Sequence, residues 1–134
     1  MKLRREKLRR PRGETAVLSR DDLERLLEAL HEHRSFLTIV EGKNDKRALE
    51  GFGFTNVRVL DGPLYRVVES IDEEEVLILT DLDEHGKQLY RYFYKECGRR
   101  GVRVNNRVRQ LLTFTTLRQI EGLPRFIERA RNAL

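Results

Sequence analysis

Residues 76–87 read VLILTDLDEHGK, an apolar run followed by two aspartates, Asp81 and Asp83. A short apolar run without polar alternation is typical of a strand buried on both faces, as in a parallel sheet. Side chains two positions apart in an extended segment point the same way, so Asp81 and Asp83 are expected to converge. This stretch therefore predicts a central parallel strand with two carboxylates at its end.

A second stretch of the same design comes earlier in the chain. Residues 36–45 read FLTIVEGKND, in which the apolar run ends at Glu41. Functional sites of open parallel sheets form at the carboxyl ends of the strands. If the two strands are neighbours, Glu41 faces the same point as Asp81 and Asp83.

Strand-like and helix-like segments alternate along the chain, which predicts an α/β fold with a parallel sheet. Two further strands are expected at residues 57–60 and 102–105. Helices are expected from a cap at Ser19 to about 33, and at 46–50, 64–71, 84–100 and 117–133 with an interruption at 122–124. We expect a basic N-terminal arm at 1–18 and one domain at 19–134, with a core at about 35–106 and a helical C-terminal part at 107–134.

The composition indicates a polyanionic partner and a reducing compartment. The chain has 27 Lys and Arg against 22 Asp and Glu, a net charge of +5, and such a balance favours nucleic acid. Cys97 is the single cysteine, so no intramolecular disulfide forms, which suits the cytoplasm. No apolar run reaches the ~18 residues of a membrane span, and none follows the basic N-terminus as in a secretion signal.

Three carboxylates at one sheet edge repel one another unless a cation neutralises them. Mg²⁺ binds carboxylate oxygens and leaves positions for water and phosphate oxygens, and Mn²⁺ is an alternative. Such an ion polarises a phosphate and stabilises a leaving oxygen. Glu41, Asp81 and Asp83 are therefore candidate metal ligands for one ion or two. Acids after strands also cap helices and form turns, and this alternative stays open.

The combination of Glu-Gly-Lys at 41–43, Asp45, the Asp-x-Asp at 81–83 and Gly-Lys at 86–87 resembles the two signature motifs of the Toprim family. That family includes the metal domains of bacterial-type primases and of type IA and II topoisomerases. It also includes overcoming-lysogenization-defect nucleases, recombination mediator proteins and the nuclease that matures 5S ribosomal RNA. The resemblance covers about 35–106 and is strongest to small stand-alone primase-like proteins and the 5S maturation nuclease.

The resemblance implies a Rossmann-like fold, a four-stranded, mainly parallel sheet flanked by helices. It also implies that Glu41 matches the general acid/base glutamate and that Asp81 and Asp83 match the metal-binding pair. The chain departs from primases in lacking the cysteines of a zinc-binding part.

Basic side chains near the predicted turns are candidates for contacts with phosphate. Lys43, also a candidate catalytic residue, and Lys87 each follow a glycine beside an acidic turn. The glycines, Gly42 and Gly86, are expected to permit tight turns or close phosphate approach. A possible phosphate track further along comprises Arg99, Arg100, Arg103, Arg107 and Arg109. Charge balance or a solvated basic face is the alternative for these cations.

Together these features favour Mg²⁺-dependent phosphodiester chemistry on nucleic acid, by a small nuclease acting on structured RNA or DNA. Two alternatives remain open: a non-catalytic nucleic-acid-binding or adaptor module, and primase-like nucleotidyl transfer. The choice between RNA and DNA, and any protein partner, also stays open. On the helix after the second acidic turn, Tyr90, Tyr92, Tyr94 and Cys97 are expected to pack against the rest of the protein.

Overall fold

The computed structural model describes residues 18–134, so residues 1–17 of the predicted basic arm lie outside the described part. The helices are α1 (Arg20–Glu32), α2 (Lys43–Glu50), α3 (Leu64–Glu69), α4 (Glu84–Arg99), α5 (Arg107–Thr113) and α6 (Leu123–Asn132). A 3-10 turn spans Ile120–Gly122. The strands are β1 (Leu37–Val40), β2 (Val57–Val59), β3 (Glu75–Ile78) and β4 (Arg103–Val104).

The four strands form one parallel sheet in the order β2-β1-β3-β4. This confirms the predicted α/β architecture. The chain leaves β1 for β2 on one side and later returns to place β3 on the other side of β1. The topological switch point therefore lies between β1 and β3, where ligands of open α/β sheets bind. Ile39 pairs with Ile78, so the turns that follow these two strands adjoin.

Helices cover both faces of the sheet. Leu77 and Leu79 contribute to a core shared with α1, α2, α5 and α6, whereas Val76 and Ile78 contribute to a core shared with α3 and α4. Successive strand residues point to opposite faces, so one uninterrupted apolar run supplies both cores. Cys97 of α4 is fully buried in the second core, as predicted.

The two residues before α1 hold the start of this helix in place. Leu18, the last residue of the predicted arm, is 8% exposed and belongs to the core beside α1. The predicted cap of α1 is present, because Ser19 Oγ accepts a hydrogen bond from the Asp22 backbone N–H at 3.1 Å. α2 begins at Lys43, three residues before the expected start.

The C-terminal part departs most from expectation. The single interrupted helix predicted at 117–133 is instead an irregular segment, the 3-10 turn and α6, whose first turn contains Pro124. Proline suits this place, because the first helical N–H groups have no partner in the helix. Within residues 18–134, every helix is too short or too polar to cross a membrane.

Candidate functional site

The two acidic turns meet at the carboxyl edge of the sheet. Glu41 directly follows β1, and its Oε2 accepts a hydrogen bond from the Asp81 backbone N–H at 2.7 Å. Its Oε1 lies 4.0 Å from Nε2 of His85, an exposed residue of α4. The structure therefore joins Glu41 to the turn that carries both aspartates, because β1 and β3 are neighbours.

Asp83 caps α4. Its Oδ1 accepts a hydrogen bond from the Gly86 backbone N–H at 2.8 Å. Such a cap satisfies one of the N–H groups that the first turn of a helix leaves unpaired. Asp83 thus fills the capping role raised as an alternative for the acids, and it does so with one carboxylate oxygen.

Gly86 allows α4 to approach the aspartate turn unusually closely. A Cβ placed on Gly86 would lie 1.9 Å from the carbonyl oxygen of Asp81. The hydroxyl of Thr80 donates to the Gly86 carbonyl at 2.7 Å and binds the helix to the end of β3. Gly86 was expected to permit a tight turn or a close approach by phosphate, and in the structure it admits the backbone of the neighbouring turn.

Asp81 is the most electrostatically perturbed carboxylate of the site. Burial raises the pKa of Asp81 from 3.8 to about 6, and the negative charges of Asp45, Glu41 and Asp83 push it the same way. The Ile120 backbone N–H, which donates to Asp81 Oδ1 at 2.9 Å, opposes this shift by favouring the ionised form. Ionisation of Asp81 is therefore less favourable than that of an exposed carboxylate.

The chain between α5 and α6 closes over the two acidic turns. The Leu82 backbone N–H donates to the Arg118 carbonyl at 2.7 Å, two residues from the bond between Ile120 and Asp81. This contact was not predicted. The interruption at Gly122-Leu123-Pro124 indicated a break in the helix, but such a break carries no information on what the broken segment touches.

Asp45 lies beneath the same segment. It is buried in the first turn of α2, and its Oδ2 accepts a hydrogen bond from the Gly42 backbone N–H at 2.9 Å. This bond explains why α2 begins at Lys43 rather than at residue 46. Burial raises the pKa of Asp45, while hydrogen bonds from the backbone of Gly42 and Glu121 lower it.

Arg109 does not join a surface track, contrary to the prediction. It is 6% exposed, and its guanidinium donates to the Thr80 carbonyl at 2.7 Å and to the Asp81 carbonyl at 3.0 Å. Its guanidinium carbon lies 4.5 Å from the centroid of the Tyr90 ring, a cation–π distance. Burial lowers the pKa of Arg109, and the charges of the nearby acids oppose this effect. Arg109 is thus a buried cation that holds the aspartate turn in position.

The remaining predicted basic residues divide between the two edges of the sheet. Lys43 and Lys87 are exposed in the first turns of α2 and α4, at the acidic edge. α4 then runs 16 residues, about 24 Å, to the opposite edge. Arg99 and Arg100 are exposed at that end of α4, and Arg103 opens β4 beside them. The structure therefore does not bring these three arginines to the acids.

The donor chemistry of the acidic edge fits Mg²⁺. Glu41, Asp81 and Asp83 offer hard carboxylate oxygens, and a divalent cation would relieve the repulsion that raises the pKa of Asp81. As they stand, no three carboxylate, histidine or cysteine side chains within residues 18–134 are arranged to hold one metal ion. Metal binding by these three acids stays a prediction.

Comparison with known proteins identifies the family. Residues 36–110 match the family model described as Toprim domain. This chain belongs to the Toprim family. The resemblance drawn from the two acidic motifs is thereby confirmed. Toprim domains generally bind divalent metal ions, so membership indicates a metal-dependent function related to nucleic acid.

Two relatives match most of this Toprim protein. It is 30% identical over 125 residues to the UPF0292 protein MJ1624 of Methanocaldococcus jannaschii. The alignment covers 84% of this chain and 98% of the relative. A solved structure of a protein from Aquifex aeolicus superimposes with a TM-score of 0.67 at 32% identity, covering 75% of this chain and 96% of that one. Both relatives are therefore small proteins matched almost over their full length.

Proposed function

We propose that this Toprim protein is a Mg²⁺-dependent nuclease that cleaves phosphodiester bonds in structured RNA or DNA. The observation that carries the proposal is the contact between Glu41 and the Asp81 turn at the topological switch point. A carboxylate with a pKa of about 6 beside other carboxylates is characteristic of a functional site rather than of a solvated surface.

Each acid has a distinct role in this proposal. Asp81 and Asp83 would hold the metal, which polarises the phosphate when it is bound. Glu41 is 21% exposed, and its Oε1 is free of backbone hydrogen bonds within the described residues, so it would transfer the proton as general acid or base. Lys43, exposed in the first turn of α2, would contact a phosphate oxygen of the substrate.

A cleavage assay tests the proposal. End-labelled RNA hairpins and DNA duplexes are incubated with the protein and Mg²⁺ or Mn²⁺, using the parent protein, Glu41→Gln and Asp81→Asn. We expect cleavage by the parent and a loss of roughly 100-fold or more in each variant. Asp72→Asn is the matched control, because Asp72 is an exposed acid before β3, at the opposite edge. Cleavage that survives unchanged in both site variants contradicts the proposal.

A non-catalytic nucleic-acid-binding role is the second candidate. Glu41, Asp81 and Asp83 each already accept a hydrogen bond from a backbone N–H, which gives all three a structural function. This candidate predicts binding that weakens steeply with salt and no turnover with any metal. Binding without cleavage of any substrate in the assay above would favour it over the nuclease.

A further inference from the structure

Helix α4 carries basic and aromatic side chains in alternation along one side, and all of them are exposed except Tyr90, which is half-buried against the second core. Lys87, Arg91 and Lys95 recur at every fourth position, and Tyr90 and Tyr94 lie between them. Residues three and four apart are neighbours on a helix surface, so these five form a continuous stripe. We refer to Lys87, Tyr90, Arg91, Tyr94 and Lys95 as the α4 stripe.

Tyr94 is the unexpected member of the stripe. The tyrosines of α4 were expected to pack, and Tyr92 does so, with its ring edge-on to the buried Phe93. Tyr94 is instead 56% exposed, and its ring contacts that of Tyr90 at a centroid distance of 5.9 Å. An exposed aromatic ring beside cations offers a flat surface that the fold itself does not cover.

The stripe begins at the acidic site. Lys87 lies in the turn of α4 that Asp83 caps, and the ring of Tyr90 stacks against Arg109, which binds the Asp81 carbonyl. At its other end the helix reaches the exposed Arg99 and Arg100. The stripe therefore joins the acidic turns to the basic residues that the structure places at the far edge of the sheet.

Acidic neighbours reduce the positive charge of this face only partly. Arg91 lies 3.8 Å from Glu84, and Arg99 lies 3.9 Å from Glu96. Arg91 and Glu84 are 64% and 74% exposed, and ion pairs this exposed are weak and give way to a more highly charged partner. Lys87 and Lys95 extend the positive charge along the helix on either side of Arg91.

We infer that the α4 stripe binds a single-stranded segment of nucleic acid, an inference that rests on the proposed function and names its substrate class. A base would stack on Tyr94, and phosphates would lie against Lys87, Arg91 and Lys95. Stacking needs an exposed base face, which a duplex hides and a single strand offers. The stripe would thereby lead an unpaired strand, or the unpaired part of a folded RNA, to the acidic turns.

Binding is measured separately from cleavage. Fluorescein-labelled oligo-U and oligo-dT, and a duplex containing the oligo-dT strand, are titrated with protein in EDTA and followed by anisotropy. We expect both single strands to bind more tightly than the duplex. Tyr94→Ala should weaken single-strand binding by about 10-fold, whereas Tyr94→Phe, which keeps the stacking ring, should bind like the parent. Thermal unfolding followed by circular dichroism verifies that each variant is folded.

Tyr65→Ala is the matched control, because Tyr65 is 52% exposed but belongs to α3. It should leave the affinity unchanged. Equal affinity of Tyr94→Ala and the parent, or tighter binding of the duplex, overturns the inference. If the protein cleaves nucleic acid with Mg²⁺ but Tyr94→Ala does not change the affinity, the nuclease proposal stands and the binding role of the α4 stripe is rejected. If Tyr94→Ala weakens binding but no substrate is cleaved, the binding role of the α4 stripe stands and the nuclease proposal is rejected.

Discussion

Asp81 is the residue on which the electrostatics of the site converge. Its side chain is partly buried, burial and three other carboxylates raise its pKa, and the hydrogen bond from the Ile120 N–H partly compensates. Placing an ionisable acid in such surroundings lowers the stability of the folded state at neutral pH. A divalent cation bound at this site, as proposed above, would favour the ionised form of Asp81 and would offset this loss of stability.

In the metal-free protein, we expect the free energy of unfolding to fall as the pH rises from about 4 to about 6. The folded state keeps a proton on Asp81 up to about pH 6, whereas the unfolded chain releases it near 3.8, so the folded state binds more protons in this window. Asp81→Asn should remove this pH dependence. At neutral pH it should increase the free energy of unfolding by on the order of 1–2 kcal/mol, a value reduced because the side chain is partly exposed to solvent. Urea unfolding in EDTA at a series of pH values measures it.

The matched control for this prediction is Asp72→Asn, an exposed acid on the other edge of the sheet. It should retain the pH dependence of the parent. If Asp81→Asn has the same slope of stability against pH as the parent, the perturbed ionisation does not belong to Asp81.

Arg109 supports the turn that carries Asp81. Arg109→Met should lower the free energy of unfolding by about 2–3 kcal/mol, because the buried carbonyls of Thr80 and Asp81 lose their donors. Arg109→Lys has fewer donors than the parent, so its free energy of unfolding should lie between those of Arg109→Met and the parent. Arg103→Met, on an exposed strand residue, should change stability by no more than about 0.5 kcal/mol. Chemical denaturation provides the measurement, and equal losses for Arg109→Met and Arg103→Met would argue against a supporting role.

Among the secondary-structure elements, α4 has the largest effect on the geometry of the site. Its N-terminus is bound to the aspartate turn by the Asp83 cap and by the bond from Thr80 to Gly86. One side of the helix forms the α4 stripe, in which only Tyr90 is half-buried, and its buried face carries Phe93 and Cys97 in the second core. One helix therefore connects the core, the acidic turns and the proposed binding surface.

Two glycines in α4 are expected to respond in opposite directions to the same substitution. Gly86→Ala places a Cβ 1.9 Å from the Asp81 carbonyl oxygen, so helix or turn must move, at a cost of at least about 3 kcal/mol. Gly98→Ala meets open space and should stabilise the helix by about 0.5–1 kcal/mol. Both effects are read from urea unfolding curves. A neutral Gly86→Ala would mean that α4 does not approach the turn this closely.

The site is assembled from three separate parts of the chain. Glu41 follows β1, the two aspartates follow β3, and Arg109 and Ile120 come from the helical C-terminal part. The unfolded chain has no such assembly, so any ligand of the acids should bind the folded state selectively and stabilise the entire domain.

Mg²⁺ is therefore expected to raise the melting temperature. When the free Mg²⁺ concentration is about 100-fold above its Kd, the free energy of unfolding should increase by roughly 2.7 kcal/mol. Asp83→Asn should abolish most of this gain without lowering the metal-free melting temperature, because asparagine caps a helix as well as aspartate does. Asp83→Ala should lose the gain and also about 1 kcal/mol from the cap. Differential scanning fluorimetry with Mg²⁺ and with EDTA separates the two roles, and an equal Mg²⁺ response in Asp83→Asn would remove Asp83 from the proposed ligands.

The parallel sheet, its central strands and the two acidic turns are predictable from the sequence. Apolar runs such as VLIL and the residues that end them are local patterns, and the spacing of Asp81 and Asp83 follows from the geometry of a single strand. Chain connectivity then places the turns at one edge, since parallel strands all end on the same side of a sheet.

Only the tertiary structure revealed that Arg109 is buried beneath the aspartate turn, that Ile120 binds Asp81 and that Tyr94 is exposed. Arginines in a basic run and tyrosines in an amphipathic helix look alike whether they face solvent or a neighbour, because local periodicity does not encode which elements pack together. Arg109 contacts Asp81 across 28 positions of the chain, and Ile120 contacts it across 39. Such contacts follow from the packing of α5 and the adjoining segment against the sheet, which is a property of the folded molecule.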